Sequence, residues 1–229
     1  RQASPTIKPP DQGLYHFLWD HGEQKSRLHL RIDADDTGLL IVNANRVFHL
    51  NPSATQMAYY TLNKVPPDQA VRQLSRRFNV PVQTLQEDYR SYSESLNDLL
   101  DDRVCPICDL ELETSIPFTS KPTAPYRMDL ALTYRCNNAC AHCYNARARS
   151  YPELKTEDWI EIIDKLWEIK IPHIVFTGGE PTLREDLPEL IRHAENNGQI
   201  TGLNTNGRKR ADRPFVRQLL DSGLDQVRM

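Results

Sequence analysis

The spacing of apolar positions along the chain changes from two to three-or-four as it leaves residue 50. Before that point "LHLRIDA" alternates apolar and polar residues, "GLLIVNA" is more continuously apolar, and "RVFHL" follows the turn-prone Asn43 and Asn45. Alternation sends successive side chains to opposite faces, so three short strands with a hairpin are predicted. Beyond it, "NPSATQMAYYTL" offers Asn51 or Ser53 as a helix cap and Pro52 in the first turn. Pro66 and Pro67 open a second helix with Ala70, Val71, Leu74 and Phe78 on one stripe. "NVPV" then separates a third helix carrying Val82, Leu85, Tyr89, Tyr92, Leu96 and Leu99. Core packing accounts for these apolar and aromatic positions.

Three small strands followed by three helices predict a winged-helix-like α+β domain over residues 27–101. Residues 1–26 mix proline, charge and a few aromatics without a sustained period and read as an extended arm. Residues 102–126 read as a linker rich in proline, acid and turn formers, and they contain "CPIC". From residue 127 to 229 strand and helix patterns alternate: "MDLALTY", a cysteine-bearing loop, "DWIEIIDKLWEI" after a Thr156 cap, "HIVFTGGEP", "LPELIRHAENNG" ending at Gly198, "ITGLNTNG", "FVRQLLDSG" and "DQVRM". Such alternation predicts an α/β fold with parallel strands and helices outside. No internal repeat and no low-complexity tract is present.

Composition narrows the class without deciding it. The 229 residues are 39% hydrophobic and 26% charged with a formal charge of −3, which describes a globular protein without a bias toward nucleic acid or anionic membranes. No run approaches the roughly 18 apolar residues of a spanning helix, and "RQASPTIKPP" lacks the apolar centre of a signal peptide, so a cytoplasmic location is expected. Five cysteines, an odd number, all fall between Cys105 and Cys143, which argues for metal binding over a disulfide framework. The chain starts at Arg1 and stops in "DQVRM", inside a strand pattern, as a fragment of a longer protein would.

The chemistry concentrates in "RCNNACAHCYN", where Cys136, Cys140 and Cys143 follow the first strand of the α/β region with the spacing C-x3-C-x2-C. A cubane iron-sulfur cluster normally takes four thiolates, so three on one short loop leave one iron free for another ligand. Two other readings fit the same residues. The three positions also share one helical face, as ordinary buried thiols would, although Asn137 and Asn138 favour a loop. Zinc held jointly with Cys105 and Cys108 is the other, although the second half lacks the paired C-x2-C pattern.

These residues resemble the radical S-adenosylmethionine (SAM) enzymes, whose cluster loop follows the first strand of a partial (β/α)6 barrel. The resemblance implies a 4Fe-4S cluster on Cys136, Cys140 and Cys143, with the methionyl amine and carboxylate of SAM on the unique iron. His142 stands where the family usually has an aromatic residue near the adenine; a local hydrogen bond in the loop is its other reading. "FTGGEP" matches the family segment that contacts the methionyl amine, which implies cofactor contacts for Gly178, Gly179 and Glu180. Read alone, paired glycines let a backbone approach a ligand closely or simply make a turn, and a glutamate accepts from a cationic amine. "NTNG" is similar to the family pattern after the third strand, where Thr205 and Asn206 face the cofactor or substrate, or form a polar turn. In such enzymes one electron, from a donor such as flavodoxin or ferredoxin, cleaves SAM to a 5′-deoxyadenosyl radical that abstracts hydrogen. About three and a half β/α units fit between Met128 and Met229, so the resemblance covers the first half of the barrel.

The segment "GLLIVNANRVFHLNPSATQMAYYTLNK" with the two following helices resembles the small precursor-peptide-binding domain of pyrroloquinoline quinone biosynthesis (PqqD-like), fused to many peptide-modifying radical enzymes. A leader peptide would there add a strand beside "RVFHL", near Arg46, Val47 and Phe48, which ordinary strand packing also explains. DNA binding by a winged helix is disfavoured, because only Arg72, Arg76 and Arg77 cluster in an otherwise balanced region. Cys105 and Cys108 fit half of an auxiliary iron-sulfur or zinc site, a redox pair, or a turn. The reading is a radical SAM maturase of a ribosomally made precursor peptide. Its alternatives are a radical SAM enzyme of a small molecule, and a noncatalytic peptide-binding or redox-sensing module.

Overall fold

A computed structural model of the chain describes residues 8–20, 25–43, 46–100, 123–145 and 152–229. Cys105 and Cys108 lie outside the described residues. The chain divides into two compact units, residues 1–123 and 124–229.

The first unit begins with a four-stranded antiparallel meander, β1 (Gly13–Asp20), β2 (Lys25–Ile32), β3 (Gly38–Val42) and β4 (Arg46–Leu50), in that spatial order. The last three are the expected strands. β1 corrects the reading of residues 1–26 as an arm: it pairs with β2 over its whole length, from Gly13 opposite Ile32 to Asp20 opposite Lys25. Tyr15, Phe17 and Trp19 alternate along it and pack on the core formed by Leu28, Leu30, Leu40 and Val42. Their two-residue spacing was obscured because Leu14 and Leu18 fill the intervening positions and blur the polar face.

Three helices complete this unit, α1 (Pro52–Leu62), α2 (Pro67–Arg77) and α3 (Val82–Leu100). Asn51 is the cap of α1, its side chain accepting from the Ala54 N–H at 2.9 Å. Leu96, Leu99 and Leu100 of α3 close over the sheet, while Leu85 and Tyr89 pack with α2 residues Val71 and Leu74 in a neighbouring cluster. Among the described residues β4 has one strand neighbour, β3, and therefore forms an edge of the sheet.

The second unit is a parallel sheet of β5 (Arg127–Thr133), β6 (His173–Gly178), β7 (Ile200–Asn204) and β8 (Gln226–Arg228), ordered as in the chain. Helices α4 (Thr156–Glu168), α5 (Leu187–Asn197) and α6 (Arg213–Asp221) connect successive strands after the first cysteine loop. Thr156 is the first residue of α4 instead of its cap; the cap is Lys155, whose N–H donates to the Asp158 carboxylate at 2.9 Å. Gly198 ends α5 in the left-handed conformation with φ 90°, as the sequence indicates.

Leu130, Leu132, Ile174, Phe176 and Leu203 share the core with Trp159, Ile163 and Leu190 of the helices. Strand alternation then puts Arg127, Asp129, His173, Thr177 and Asn204 on the opposite face, together with Ala131, Val175 and Ile200. Because the strands are parallel, their carboxyl ends lie along one edge, where open α/β sheets hold ligands. No helix among the described residues is long and apolar enough to cross a membrane.

His173 opens β6 and is 1% exposed, with no hydrogen-bond partner on either ring nitrogen among the described residues. Burial first, and then the nearby Arg127 and Arg228 charges, push its pKa down to about 4. The folded state therefore holds His173 neutral, and stability is complete above the unfolded value of about 6.5. As pH falls from there toward 4 the unfolded chain takes up a proton that the folded chain resists, and below 4 the loss levels off. Chemical denaturation followed from pH 7.5 to 4 is expected to show a loss on the order of 2 kcal/mol by pH 5 from this group. His173→Leu should flatten the profile in that window.

Candidate cofactor site

At the carboxyl edge, strand pairing continues beyond the ends of β5 and β6. The Gly179 N–H donates to the Thr133 carbonyl at 2.7 Å and the Glu180 N–H to the Arg135 carbonyl at 2.8 Å. This brings the backbone of Gly178 and Gly179 against the stem of the cysteine loop more closely than any side chain permits. A Cβ on Gly178 would stand 2.2 Å from the Thr133 oxygen, and one on Gly179 would stand 2.3 Å from the Arg135 oxygen. Gly178 also has φ +129°, a conformation that L side chains rarely adopt. The glycines are thus required by the approach of one backbone segment to another.

Glu180 is fully buried, at 0% exposure. Its Oε1 accepts from the Thr182 N–H at 3.1 Å, the Thr182 hydroxyl at 2.6 Å and the Thr205 hydroxyl at 2.7 Å. Its Oε2 accepts from the Asn206 N–H at 2.7 Å. Burying a carboxylate is tolerable when donors replace its water, and four do so here. Through these donors the side chain fastens the end of β6 to the turn after β7.

That turn reaches the cysteine loop directly. The Asn206 Nδ2 donates to Asn137 Oδ1 at 2.8 Å and lies 4.0 Å from the Cys136 Sγ. Arg208 Nε donates to Asn138 Oδ1. Within the loop, the Asn138 N–H points at Cys136 Sγ from 3.4 Å and the Cys143 N–H donates to the Cys140 carbonyl at 3.1 Å. Asn145 Nδ2 returns to the Gly178 carbonyl at 3.1 Å. Cys136, Cys140 and Cys143 are all free and exposed, so the reading of them as buried thiols on a helix face fails. The described loop residues include no helix.

A charged brace holds the stem from its other side. Arg135 makes a two-pronged contact with Glu153, both bonds 3.1 Å, and the Thr133 hydroxyl donates to the same carboxylate. The Arg135 guanidinium holds the Glu153 carboxyl below its usual range. Buried Arg184 bonds the carbonyls of Leu132 and Leu154 at 3.3 and 3.0 Å and pairs with Asp186, which also accepts from the Thr156 hydroxyl at 2.7 Å.

The residues brought together here are therefore Cys136, Gly178, Gly179, Glu180, Thr205 and Asn206, with Cys140 and Cys143 on the same loop. His142 is exposed on that loop. Arg46, Val47 and Phe48 belong to β4 of the first unit. Asn137, Asn138, Thr182 and Arg208 do structural work that sequence reading missed. The available signal was carboxamides placed directly beside a metal-type cysteine and again after the third strand.

Among the described residues no three His, Cys, Asp or Glu side chains converge tightly enough to hold a single metal ion. A cubane cluster asks for something different, thiolates spread around the corners of a larger group. Three exposed thiols on one loop, with N–H donors directed at one of them, are a donor set that fits it.

Residues 130–229 match the Radical SAM superfamily. The match contains all three cysteines, the Gly-Gly-Glu segment and the Asn-Thr-Asn-Gly turn, and enzymes of this superfamily use a 4Fe-4S cluster and SAM. Fe-coproporphyrin III synthase of Methanosarcina barkeri is 41% identical over 110 residues, which are 47% of this chain and 26% of the synthase. PqqA peptide cyclase of Granulibacter bethesdensis is 37% identical over 100 residues, 43% of this chain and 26% of the cyclase. The matched region thus spans about a quarter of the length of each relative. Among solved structures, Streptococcus suis SuiB bound to S-adenosylmethionine gives a TM-score of 0.47 at 16% identity, covering 79% of this chain and 41% of SuiB. SuiB bound to precursor peptide SuiA gives 0.47 at 14% identity, covering 85% and 43%.

Adding a methyl group where two backbones touch should unlock the site. Gly179→Ala is expected to destabilise the chain by about 2 kcal/mol or more in urea unfolding. Gly13→Ala serves as the comparison: its Cβ meets nothing nearer than 3.7 Å, and a change within about 0.5 kcal/mol is expected.

Proposed function

We propose that the chain is part of a radical SAM enzyme that modifies a ribosomally made precursor peptide. The observation that carries the radical SAM reading is the exposed Cys136–Cys140–Cys143 loop clamped by Gly179 and Glu180 at the carboxyl edge of a parallel sheet. A 4Fe-4S cluster held by Cys136, Cys140 and Cys143 would supply the electron for reductive cleavage of SAM. The chain's own contribution is placement. Thr133, Arg135 and Glu153 stiffen the loop stem, the glycines hold it against β6, and Glu180 aligns the turn carrying Thr205 and Asn206. His142, exposed beside two cluster cysteines, is assigned to the adenine side of the cofactor by the family pattern.

The first unit is read as a PqqD-like leader-binding domain. Its support is the position of β4, which among the described residues has β3 as its one strand neighbour, and the contact of Arg46 with the Leu99 carbonyl of α3 at 3.4 Å. A leader strand laid along β4 would run beside the last turn of α3, near Arg46, Val47 and Phe48. The resemblance to PqqA peptide cyclase favours a peptide substrate. Resemblance to Fe-coproporphyrin III synthase, at 41% identity, supports the second reading, an enzyme of a small molecule. An acidic one-electron carrier such as flavodoxin or ferredoxin is the proposed reductant, and the cytoplasm the proposed location.

Two measurements separate these readings. Anaerobic reconstitution with iron and sulfide, followed by dithionite and SAM, is expected to give 5′-deoxyadenosine from the chain, and replacing any one of Cys136, Cys140 or Cys143 with alanine should remove both the nucleoside and the bound iron. Absence of the nucleoside from a fully loaded chain favours the noncatalytic module. For the peptide, labelled leaders drawn from short neighbouring reading frames would be titrated against the chain. Successive N–H groups of a strand alternate between its two edges, so one of Val47→Pro and Phe48→Pro removes an outward donor. That variant should bind a leader at least tenfold more weakly; retention of full affinity by both would direct attention to the small-molecule reading.

A further inference from the structure

Cys136 differs from the other two thiols of its loop in the company it keeps. Two N–H groups approach its sulfur, the Asn138 backbone at 3.4 Å and the Asn206 side chain at 4.0 Å, and no such donor meets the sulfur of Cys140 or Cys143 among the described residues. The direction of the Asn206 amide is fixed by its surroundings. Its Oδ1 accepts from the Arg208 N–H at 3.0 Å, so its NH2 must face the cysteine loop. One of the two amide hydrogens is taken by Asn137 Oδ1 at 2.8 Å, and the other is left for Cys136. The backbone beneath is equally constrained, since the Asn206 N–H is bound by the buried Glu180 carboxylate at 2.7 Å.

From this arrangement we infer that Asn206 is a positioning residue that sets the reduction potential of the cluster through Cys136. N–H donors to a ligating sulfur stabilise the added negative charge of the reduced state more than they stabilise the oxidised state, and so raise the potential. Arg208 acts in the same direction, because its bond to the neutral Asn138 oxygen leaves its positive charge beside the loop uncompensated in that contact. The turn after β7 is thereby a tuning element as well as a clasp. The inference rests on the cluster reading above and extends it to a role that the family pattern does not assign to this side chain here.

The experiment is a redox titration of the reconstituted 229-residue chain, with the reduced cluster followed by electron paramagnetic resonance and iron counted chemically in the same samples. Asn206→Asp keeps the shape of the side chain, removes its donor hydrogens and adds negative charge; Asn206→Ala removes the side chain. Both are expected to shift the midpoint to a more negative value, so that at a fixed potential the ratio of reduced to oxidised cluster falls about fivefold for alanine, and further for aspartate. Asn137→Ala removes the competing acceptor and keeps the donor, so it should leave the midpoint unchanged or raise it. A clasp without electronic effect would lower iron content alike in Asn206→Ala and Asn137→Ala at a constant midpoint, and that result overturns the inference. An unchanged midpoint in a fully loaded Asn206→Asp chain overturns it as well. A native chain that takes up no cluster overturns the underlying reading together with the inference, and iron content distinguishes that case from the other two.

Discussion

The contact on which the site depends is between two stretches of backbone. Gly179 and Glu180 pass so near Thr133 and Arg135 that their N–H groups bond the carbonyls of those residues, and a single Cβ on either glycine would collide with an oxygen. That approach prolongs the β5–β6 pairing past the sheet edge and gives the cysteine loop a rigid stem. It also brings Glu180 inward, where its carboxylate collects donors from its own turn and from the turn after β7. Three sequence segments separated by tens of residues are in this way joined into one network. Loosening the glycine contact would free Glu180, and with it the anchor of Asn206.

Buried polar networks of this kind stand or fall together, because each unsatisfied member costs more than its bond contributes. Glu180 illustrates the point: fully buried, it is tolerable only while Thr182, Thr205 and Asn206 supply donors. Arg184 is the complementary case on the other side of the stem. Its guanidinium is buried among carbonyls and Asp186, so a cation braces β5 near its end where an anion braces β6 and β7. Opposite charges, each with its own protein partners, thus hold the two sides of the sheet edge.

Much of this was legible in the sequence, for definite reasons. The period-two and period-three-or-four patterns located β2 to β4 and the six described helices because apolar residues recur at the element's own spacing, even where, as in β3, both faces end up buried. The cysteine spacing and the Gly-Gly-Glu segment identified the edge of the sheet that carries the site, since short motifs at strand ends report local chemistry directly. β1 was hidden because Leu14 and Leu18 made both of its faces apolar, and no alternation remained to read. The inward role of Glu180 was not legible either. A glutamate after paired glycines looks available to a ligand, and only the long-range return of Thr205 and Asn206 shows where its lone pairs go. In the same way Asn137 and Asn138 read as loop formers, while their partners lie some seventy residues further along the chain.

The charge balance around the thiols follows from those partners. As ligands of the proposed cluster, three thiolates in one short loop would repel one another, and the loop would have to offset that repulsion without surrendering access to the sulfurs. Arg135 is unsuited to this, because Glu153 neutralises it at 3.1 Å through two bonds. Arg208 is better placed: its hydrogen-bond partner is the uncharged Asn138, within the loop itself. Two N–H groups then do what additional cations would do less selectively. The Asn138 backbone N–H and the Asn206 side-chain amide direct short-range dipoles at one sulfur, whereas a further lysine or arginine would spread its field over the whole loop and over any positively charged sulfonium ligand approaching it. On the proposed reading, a site that binds a cationic cofactor beside an anionic cluster would gain from dipoles aimed at a single atom, and the Asn206 amide supplies one at Cys136 where a further basic residue would not.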